Sequence, residues 1–290
     1  MRDFVIMTDS CCDLPADLAE ELELTVLPLC LHMEGRDYYN WLDGRDLDFR
    51  AFYEKLRGGV TATTAAVSVG AFQTEMRRLL KAGKDILCIC FSSALSTTYQ
   101  SAVIAAGDLR AEFPEAKISV VDSLSASMGQ GLLLYLCAQE KRKGKSLEEV
   151  RDFAEKTKGH VCHWFTVDDL NHLKRGGRIS PATALLGTML SIKPVLHVDA
   201  AGCLVPVSKI RGRKASLSAM VDRMEALAVD PAEQTVMISH GDCLEDAQFT
   251  AEEIRRRLGT RDIRIHYIGP VIGNHAGPGT VALFFLGRER

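Results

Sequence analysis

Residues 269–280 place a single histidine, His275, among four glycines and two prolines. Glycine is entropically costly in helices and strands, and proline lacks a backbone donor, so this composition predicts a loop of special backbone geometry. Loops held by a rigid scaffold often carry binding or catalytic side chains. We therefore interpret the imidazole of His275 as a candidate site group. The alternative is a tight turn with an incidental histidine.

Hydroxyl side chains follow several predicted strands near the points where those strands end. They stand at residues 8–10, 92–99 and 122–125, with a further group at 61–68 between strands. Ligands of open α/β sheets bind beyond the carboxyl ends of the strands, which share one edge of the sheet. Hydroxyls and free helix N-terminal amides at that edge form an uncharged site for a small carboxylate or phosphate. The alternative for each turn alone is helix capping.

Two clusters of basic residues stand out. The first, at residues 174–180, combines three cations with a Gly-Gly pair. It predicts either a helix end whose cations complement the dipole or an arginine, Arg178, held rigidly to meet an anion. The second cluster contains Lys209, Arg211 and Arg213. It is typical of a solvated surface, and the functional alternative is docking of a phosphorylated ligand or an acidic partner.

Composition narrows the function classes. The 290-residue chain is 47% hydrophobic and has a net charge of -3 at pH 7. This balance is ordinary for a globular protein and does not indicate nucleic acid or an anionic membrane as a partner. We expect no signal peptide and no membrane span, because no apolar run is long enough. The nine cysteines contain no Cys-x-x-Cys pair, so we interpret them as buried thiols of a cytoplasmic protein.

Familiar catalytic motifs are missing from the sequence. No Gly-x-Gly-x-x-Gly follows a strand and no P-loop exists, which argues against a nucleotide site of either kind. No Gly-x-Ser-x-Gly elbow, metal-binding helix or calcium loop appears. His160 and His163 lie on opposite faces of a predicted strand, so we interpret them as strand residues. We expect neither a metal nor a cofactor.

Apolar runs alternate with helical patterns over the first half of the chain, which predicts a parallel α/β sheet. Within this half, residues 24–31 are predicted to form one strand. Asp13 is predicted to cap a helix whose first turn contains Pro15. Residues 146–149 have the pattern of a capping box.

The second half has a different pattern. It contains a predicted hairpin about residues 199–202, several helices, and an apolar helix at 181–190. Hairpins mixed with helices indicate an α+β domain with a mixed sheet. We therefore predict two domains, at residues 1–158 and 159–290.

The unusual stretches also occur together in one known family. In chain order they are Thr8-Asp9-Ser10, Asp13-Leu14-Pro15, Ser92-Ser93-Ala94-Leu95-Ser96, Thr98-Tyr99-Gln100-Ser101-Ala102, Asp122-Ser123, Asp168-Asp169-Leu170, Gly177-Arg178-Ile179-Ser180, Lys193-Pro194-Val195-Leu196, Lys209 with Arg211, and Gly269-Pro270-Val271-Ile272-Gly273 with His275, Gly277, Pro278 and Gly279. With these motifs the chain resembles the DegV family of bacterial fatty-acid-binding proteins over essentially its whole length. Each motif is weak alone, and together they are highly specific.

The resemblance implies two domains that bury one long-chain fatty acid between them, with no other cofactor. Family members with a defined role present the acyl carboxylate to a separate fatty acid kinase. That kinase uses ATP to make acyl phosphate for phospholipid synthesis. By this resemblance the chain is a non-catalytic carrier subunit in the cytoplasm, and transient contact with a membrane surface is compatible with its role.

The resemblance also assigns residues. The carboxylate-binding residues are Thr64, Ser92, Ser93 and His275. Candidates for contact with the head group or a phosphate are Arg178 and Ser96, and the basic kinase-docking residues are Lys209, Arg211 and Arg213. The apolar segment 182–190 is a candidate lining of the acyl slot. The chain departs from the family pattern at residues 65–67, 97 and 276, where hydroxyl, glutamine, proline or glycine residues of the family are replaced.

Two other function classes are alternatives to the carrier. One is an enzyme of acyl or phosphoryl transfer that uses Asp9, Asp122 and His275. The other is a nucleic-acid-binding module, which is disfavoured because no extended basic face with interleaved aromatic residues is present.

Overall fold

The computed structural model of the protein describes residues 2–180 and 192–290. The strands in this part are β1 (Phe4–Asp9), β2 (Thr25–Leu27), β3 (Cys30–Met33), β4 (Arg36–Tyr39), β5 (Ala62–Ala65), β6 (Asp85–Cys90), β7 (Ile118–Asp122), β8 (Val161–Thr166), β9 (Ile192–Val198), β10 (Leu204–Arg211), β11 (Val236–His240), β12 (Ile263–Tyr267) and β13 (Val281–Leu286). The α-helices span Ala16–Glu21, Phe49–Arg57, Val69–Lys81, Thr98–Glu112, Met128–Arg142, Leu147–Thr157, Asn171–Arg175, Arg213–Leu227, Leu244–Leu258 and Pro270–Ala276.

The first sheet contains four parallel strands in the order β2-β1-β6-β7. Strand β6 is buried along its whole length. Burial on both faces is what parallel strands show when helices cover the sheet, and it explains the continuous apolar runs in the sequence. The predicted parallel α/β sheet is confirmed.

Residues 24–31 do not form one strand, so that prediction is wrong. Strand β2 pairs with β1, whereas β3 belongs to a separate antiparallel sheet of order β4-β3-β5. Pro28 stands between the two strands and cannot donate to a ladder, so the pairing is interrupted there. The amide of Leu29 instead donates to the hydroxyl of Ser10 at 3.0 Å.

The prediction that Asp13 caps the first helix is also wrong. Helix Ala16–Glu21 has Pro15 at its cap position, and no side chain caps it. Asp13 follows a 3-10 turn and has a φ of 48°. This left-handed conformation turns the chain, so the carboxyl group is directed into the protein, where the residue is buried.

Other helix boundaries follow their capping signals. The capping box predicted at residues 146–149 is present, with Ser146 and Glu149 each accepting the other's backbone N–H. Helix Val69–Lys81 was not predicted, although Phe72 and Met76 recur at helical spacing on its buried side.

The six-stranded sheet has the order β10-β9-β8-β13-β11-β12. All of its pairs are antiparallel except β11 with β12. The hairpin β9–β10 was predicted, and its turn is fixed by Asp199, whose carboxylate accepts the amides of Ala201 and Cys203, both at 2.9 Å. The predicted mixed sheet of the second half is confirmed.

Helix Met128–Arg142 joins the two large sheets in one apolar core. Its Leu132 packs in the same cluster as Ile6 of the parallel sheet and Val161 and Phe284 of the mixed sheet. The parallel sheet uses only residues before 158 and the mixed sheet only residues after it. The boundary at 158/159 itself stays a prediction.

Two further predictions concern segments of particular composition. The apolar helix at 181–190, and with it the slot lining assigned to 182–190, lies outside the described residues. Among residues 2–180 and 192–290, no helix combines the length and apolar character that crossing a bilayer requires.

Candidate functional site

A cavity of about 420 Å³ lies between the parallel sheet and the mixed sheet. This volume falls within the roughly 300–1,000 Å³ of small-molecule sites. Its apolar walls include Phe91, Leu95, Phe165, Val198, Ile272 and Phe284. Thr280, directly before β13, and Ala282 and Phe284 on β13 are alternate residues, and all three line the cavity. At the rise of an antiparallel strand, these positions extend the cavity over about 13 Å.

Polar side chains gather at one part of the cavity wall. The hydroxyl of Thr64 lies 2.8 Å from Nε2 of His275, although the two residues are 211 positions apart. Strand β5 carries Thr64, and helix Pro270–Ala276, called the His275 helix below, carries the imidazole in its last turn. Ser93 also lines the cavity and is exposed, so the polar part borders solvent.

The His275 helix corrects the prediction that residues 269–280 form a loop. Pro270 occupies the first helical turn, where its missing N–H costs nothing. Gly273 allows close packing, because a Cβ there would lie 2.5 Å from the hydroxyl of Tyr53. Gly277, with a φ of 86°, ends the helix. Packing thus compensates for the low helix propensity of this stretch.

Burial makes His275 a neutral group near pH 7. It lowers the pKa of the imidazole to about 4, and the charge of Arg178 acts in the same direction. Nδ1 is buried and has no hydrogen-bond partner among the described residues. Gly176 packs against this nitrogen, since a Cβ there would lie 2.0 Å from it. The hydrogen bond of the ring among the described residues is therefore the one between Nε2 and Thr64.

Arg178 supplies positive charge beside His275. Its guanidinium donates to the carbonyl of Leu95 at 3.2 and 3.1 Å and to the carbonyl of Gly176. Within the described part of the chain, no acidic side chain forms an ion pair with it. A cation of this kind, held by carbonyl groups on a cavity wall, favours an anion.

The adjacent serines Ser92 and Ser93 have different surroundings. Ser93 lines the cavity, and its amide donates to the carboxylate of Asp122 at 3.2 Å. The hydroxyl of Ser92 is buried and donates to the carbonyl of Gly202 at 3.0 Å, away from the cavity lining. Ser96 lines the cavity, and its oxygen lies 2.9 Å from that of Thr98. Of the six residues assigned to the head group, Ser92 does not line the cavity. The other five do: Thr64, Ser93, Ser96, Arg178 and His275.

Asp9 and Asp122 do not join His275 in a catalytic arrangement. The carboxylate of Asp9 is buried and accepts the amides of Cys11 and Phe91 at 3.0 and 2.8 Å. Asp122 accepts the amide of Leu124 in the following loop and the amide of Ser93 after β6. Neither residue lines the cavity.

A smaller chamber of about 220 Å³ adjoins the polar end and shares Thr64, Arg178 and His275 with the main cavity. It adds His172 and Arg175, whose side chains lie 2.9 Å apart. Sequence reasoning missed both residues. The signal that could have found them is their three-residue spacing on one helix, beside the Gly-Gly pair.

The three basic residues assigned to docking are placed differently. Lys209 and Arg211 are exposed on β10, the edge strand, and neither forms an ion pair with a described residue. Arg213 is half-buried and pairs with Asp246 at 2.8 Å and Asp168 at 3.8 Å. Of these three residues, only Lys209 and Arg211 have exposed side chains that form no ion pair with a described residue.

Across residues 2–180 and 192–290, no group of three or more His, Cys, Asp or Glu side chains is arranged to hold a metal ion.

Known proteins resemble the chain over nearly its whole length. A family model described as "Uncharacterised protein, DegV family" matches residues 3–288. A DegV domain-containing protein of Clostridium perfringens is 46% identical over 287 residues, covering 99% of this chain and 98% of that protein.

Solved structures show the same fold. A DegV family protein from Thermus thermophilus, described by its fatty acid binding, has a TM-score of 0.86 at 30% identity, covering 99% of this chain and 100% of that one. DegV from Bacillus subtilis, described as a fatty acid binding protein, has a TM-score of 0.83 at 27% identity, with coverage of 99% and 100%.

Proposed function

The chain belongs to the DegV family, and on that premise we propose that it binds a long-chain fatty acid in the cavity between its two large sheets. The observation that carries this proposal is the composition of the cavity lining. Aromatic and aliphatic side chains form most of it, and Thr64, Ser93, Arg178 and His275 add hydroxyl, guanidinium and imidazole groups. An amphipathic ligand with one anionic head matches this arrangement.

Physical chemistry supports an acyl chain in such a slot. Each buried methylene contributes roughly 0.8 kcal/mol, so affinity grows with chain length. A carboxylate taken out of water needs hydrogen-bond donors, because a buried unpaired charge is costly. The hydroxyls of Thr64 and Ser93 and the ring of His275 supply donors, and Arg178 supplies charge. These groups offset the cost of holding the head group.

We further propose that the protein is a carrier that presents the carboxylate to a separate fatty acid kinase. The polar end of the cavity borders solvent at Ser93 and adjoins the small chamber that contains Arg175 and His172. A phosphoryl group brought to the carboxylate would meet cationic and neutral donors there. Lys209 and Arg211 are the proposed docking residues, since their charges are exposed and unpaired within the described chain.

The contacts of Asp9 and Asp122 weigh against an independent transferase. Both carboxylates accept hydrogen bonds from backbone amides, and neither lines the cavity.

The proposed location is the cytoplasm, since all nine cysteines are free thiols. We also propose that the chain forms two domains, divided between residues 158 and 159. The acyl phosphate made by the kinase is proposed to serve phospholipid synthesis.

Native mass spectrometry of the purified protein tests the carrier. The expected result is a complex with one long-chain fatty acid that is released intact, and acyl phosphate formation only when a fatty acid kinase and ATP are added. A ligand-free protein that turns over acyl or phosphoryl substrates without a kinase would contradict the proposal.

Matched variants connect that test to the cavity. Ala282→Phe adds a ring to the cavity wall and should abolish co-purification of fatty acid. Ile104→Phe, at a position 44% exposed on helix Thr98–Glu112, should retain the ligand. Equal ligand content in the two variants would place the fatty acid elsewhere.

A further inference from the structure

Asp13 is a buried carboxyl group that connects three segments of the fold. Its Oδ1 accepts the amide of Gly269 at 3.0 Å, and its Oδ2 accepts the hydroxyl of Ser127 at 2.6 Å. Ser127 in turn lies 2.8 Å from the hydroxyl of Ser239. The turn after β1, the start of helix Met128–Arg142 and the start of the His275 helix therefore meet at one side chain.

Ser127 couples this group to the cavity. It lines the cavity wall, yet its hydroxyl is engaged by Asp13. Its backbone has φ 52° and ψ -144°, a region occupied mainly by glycine. Such a conformation is strained for a non-glycine residue and persists only where neighbouring contacts impose it. The contact with Asp13 is one of these.

Gly269 couples the same group to His275. It is the cap residue of the His275 helix. A Cβ at Gly269 would lie 2.7 Å from Oδ1 of Asp13 and 3.0 Å from Oδ1 of Asn40, so helix and carboxyl group are in close contact. Six residues further along, roughly 9 Å at the rise of an α-helix, is the imidazole. A shift of the helix start therefore moves the ring relative to Thr64.

We propose that Asp13 is a positioning residue for the site that binds the fatty acid head group. By bonding to both Gly269 and Ser127, it fixes the position of the His275 helix relative to the part of the cavity wall that contains Ser127. The role in ligand binding rests on the proposed function. The positioning of His275 does not, because it is a property of the protein without ligand.

The environment of Asp13 allows either protonation state to make both hydrogen bonds. Burial raises the pKa of this carboxyl to about 7, and the nearby charge of Asp9 adds to the rise. Cys11, Cys12 and Tyr53 are the other titratable groups that sense its charge. A neutral carboxyl still accepts from Gly269 and can donate to Ser127. Asparagine has the same two capacities, whereas alanine has neither.

The test compares Asp13→Ala with Asp13→Asn, and uses Asp9→Ala as the matched control. Asp9 is equally buried and lies four residues upstream, but it bonds to Cys11, Phe91 and Gln130 and not to the His275 helix. The measurements are fatty acid affinity, thermal unfolding, and the 15N shifts of the His275 ring in ligand-free protein.

The expected result separates position from stability. Asp13→Ala should weaken fatty acid binding by about tenfold or more, since two buried hydrogen-bonding groups lose their partner, and should shift the His275 resonances. Asp13→Asn should restore both properties to near wild type. Asp9→Ala should lower the unfolding temperature and leave the His275 resonances in place.

Unchanged His275 resonances in Asp13→Ala, or the same shift in Asp9→Ala, would overturn the proposal. If Asp13→Ala does not fold, Asp13→Gly takes its place, because it removes the carboxyl group and glycine tolerates the left-handed backbone at this position. Unchanged His275 resonances in that variant likewise overturn the proposal. If wild-type protein binds no fatty acid, the proposed function fails, and the ligand-free resonances still decide the positioning role.

Discussion

At the scale of single residues, the polar end of the cavity depends on a histidine that is kept neutral beside an arginine that is kept charged. Burial holds the pKa of His275 at about 4, and Arg178 lies on the same wall with carbonyl partners only among the described residues. A carboxylate bound there would lie near the positive charge of Arg178 and the neutral hydroxyl donors of Thr64 and Ser93. This combination attracts an anion without consuming a proton.

The two adjacent serines provide a matched pair for testing the head-group assignment. Thr64→Val and Ser93→Ala should each weaken fatty acid binding by about 1–3 kcal/mol, because a carboxylate oxygen loses a donor. Ser92→Ala should leave affinity unchanged and lower stability only, since that hydroxyl bonds to Gly202 outside the cavity. Titration calorimetry with one fatty acid measures all three. Affinity that falls in Ser92→Ala, or that survives the Thr64→Val/Ser93→Ala double variant, would contradict the assignment.

The depressed pKa of His275 makes folding sensitive to acid. Its folded-state value of about 4 lies below the ordinary 6.5, so the unfolded chain binds more protons between these values. Stability from this group is complete above about pH 6.5 and is lost as pH falls toward 4. The loss between pH 7.5 and 5 amounts to about 2 kcal/mol.

Urea unfolding of ligand-free wild type and His275→Gln at both pH values isolates the contribution of His275. His240, with a pKa of about 4, acts in the same direction, and Asp9 and Asp13, with raised pKa values, act in the opposite direction. The difference between the two proteins cancels these other groups. Equal pH dependence in both would show that His275 is not titrating in this range.

At the scale of elements, the edge strand β10 separates exposed charge from paired charge. Lys209 and Arg211 alternate on this strand and are exposed, whereas Arg213 begins the next helix and pairs with Asp246 and Asp168. Exposed charges mainly tune encounter and register with a partner.

Arg211→Glu should therefore reduce acyl phosphate formation with a fatty acid kinase, while fatty acid affinity and unfolding temperature stay near wild type. Arg213→Glu should lower the unfolding temperature, because it places a carboxylate beside two others. Initial rates at low kinase concentration and thermal scans distinguish the two. Parallel loss of lipid binding and phosphorylation in Arg211→Glu would assign this residue a structural role.

At the scale of the whole molecule, Arg290 ties loops of the two halves together. Its guanidinium is largely buried and remains a cation, since burial lowers its pKa only to about 10. It donates to Leu124 O at 2.6 Å, Ser125 Oγ at 3.0 Å, Lys158 O at 2.9 Å, Val161 O at 2.9 Å and Asp199 O at 3.3 Å. The loop that leads to Ala126 and Ser127 on the cavity wall is thereby held against the mixed sheet.

Arg290→Met should lower the free energy of unfolding by about 2–5 kcal/mol, because it leaves several buried carbonyls without a donor. Arg288→Met is the control, since that side chain is exposed, and it should stay within about 0.5 kcal/mol of wild type. Urea denaturation of both variants provides the comparison. Similar stability of the two variants would mean that water replaces the guanidinium at little cost.

Local patterns in the sequence determined the fold class, the capping box at Ser146 and the hairpin turn at Asp199. Periodicity and turn chemistry report on neighbours along the chain, and these features depend on neighbours. Strands β4 and β5 were not predicted, because each has only four residues and none of them is fully buried, so neither strand shows an apolar pattern in the sequence.

Only the tertiary structure decided which of these residues meet. The pairing of Thr64 with His275 joins positions 211 residues apart, and the opposite directions of Ser92 and Ser93 depend on what packs against each side chain. Asp13 has the sequence signature of a helix cap, yet a left-handed backbone turns it inward to bond with Ser127 and Gly269. Side-chain direction and long-range contact follow from how sheets and helices pack, which no local pattern encodes.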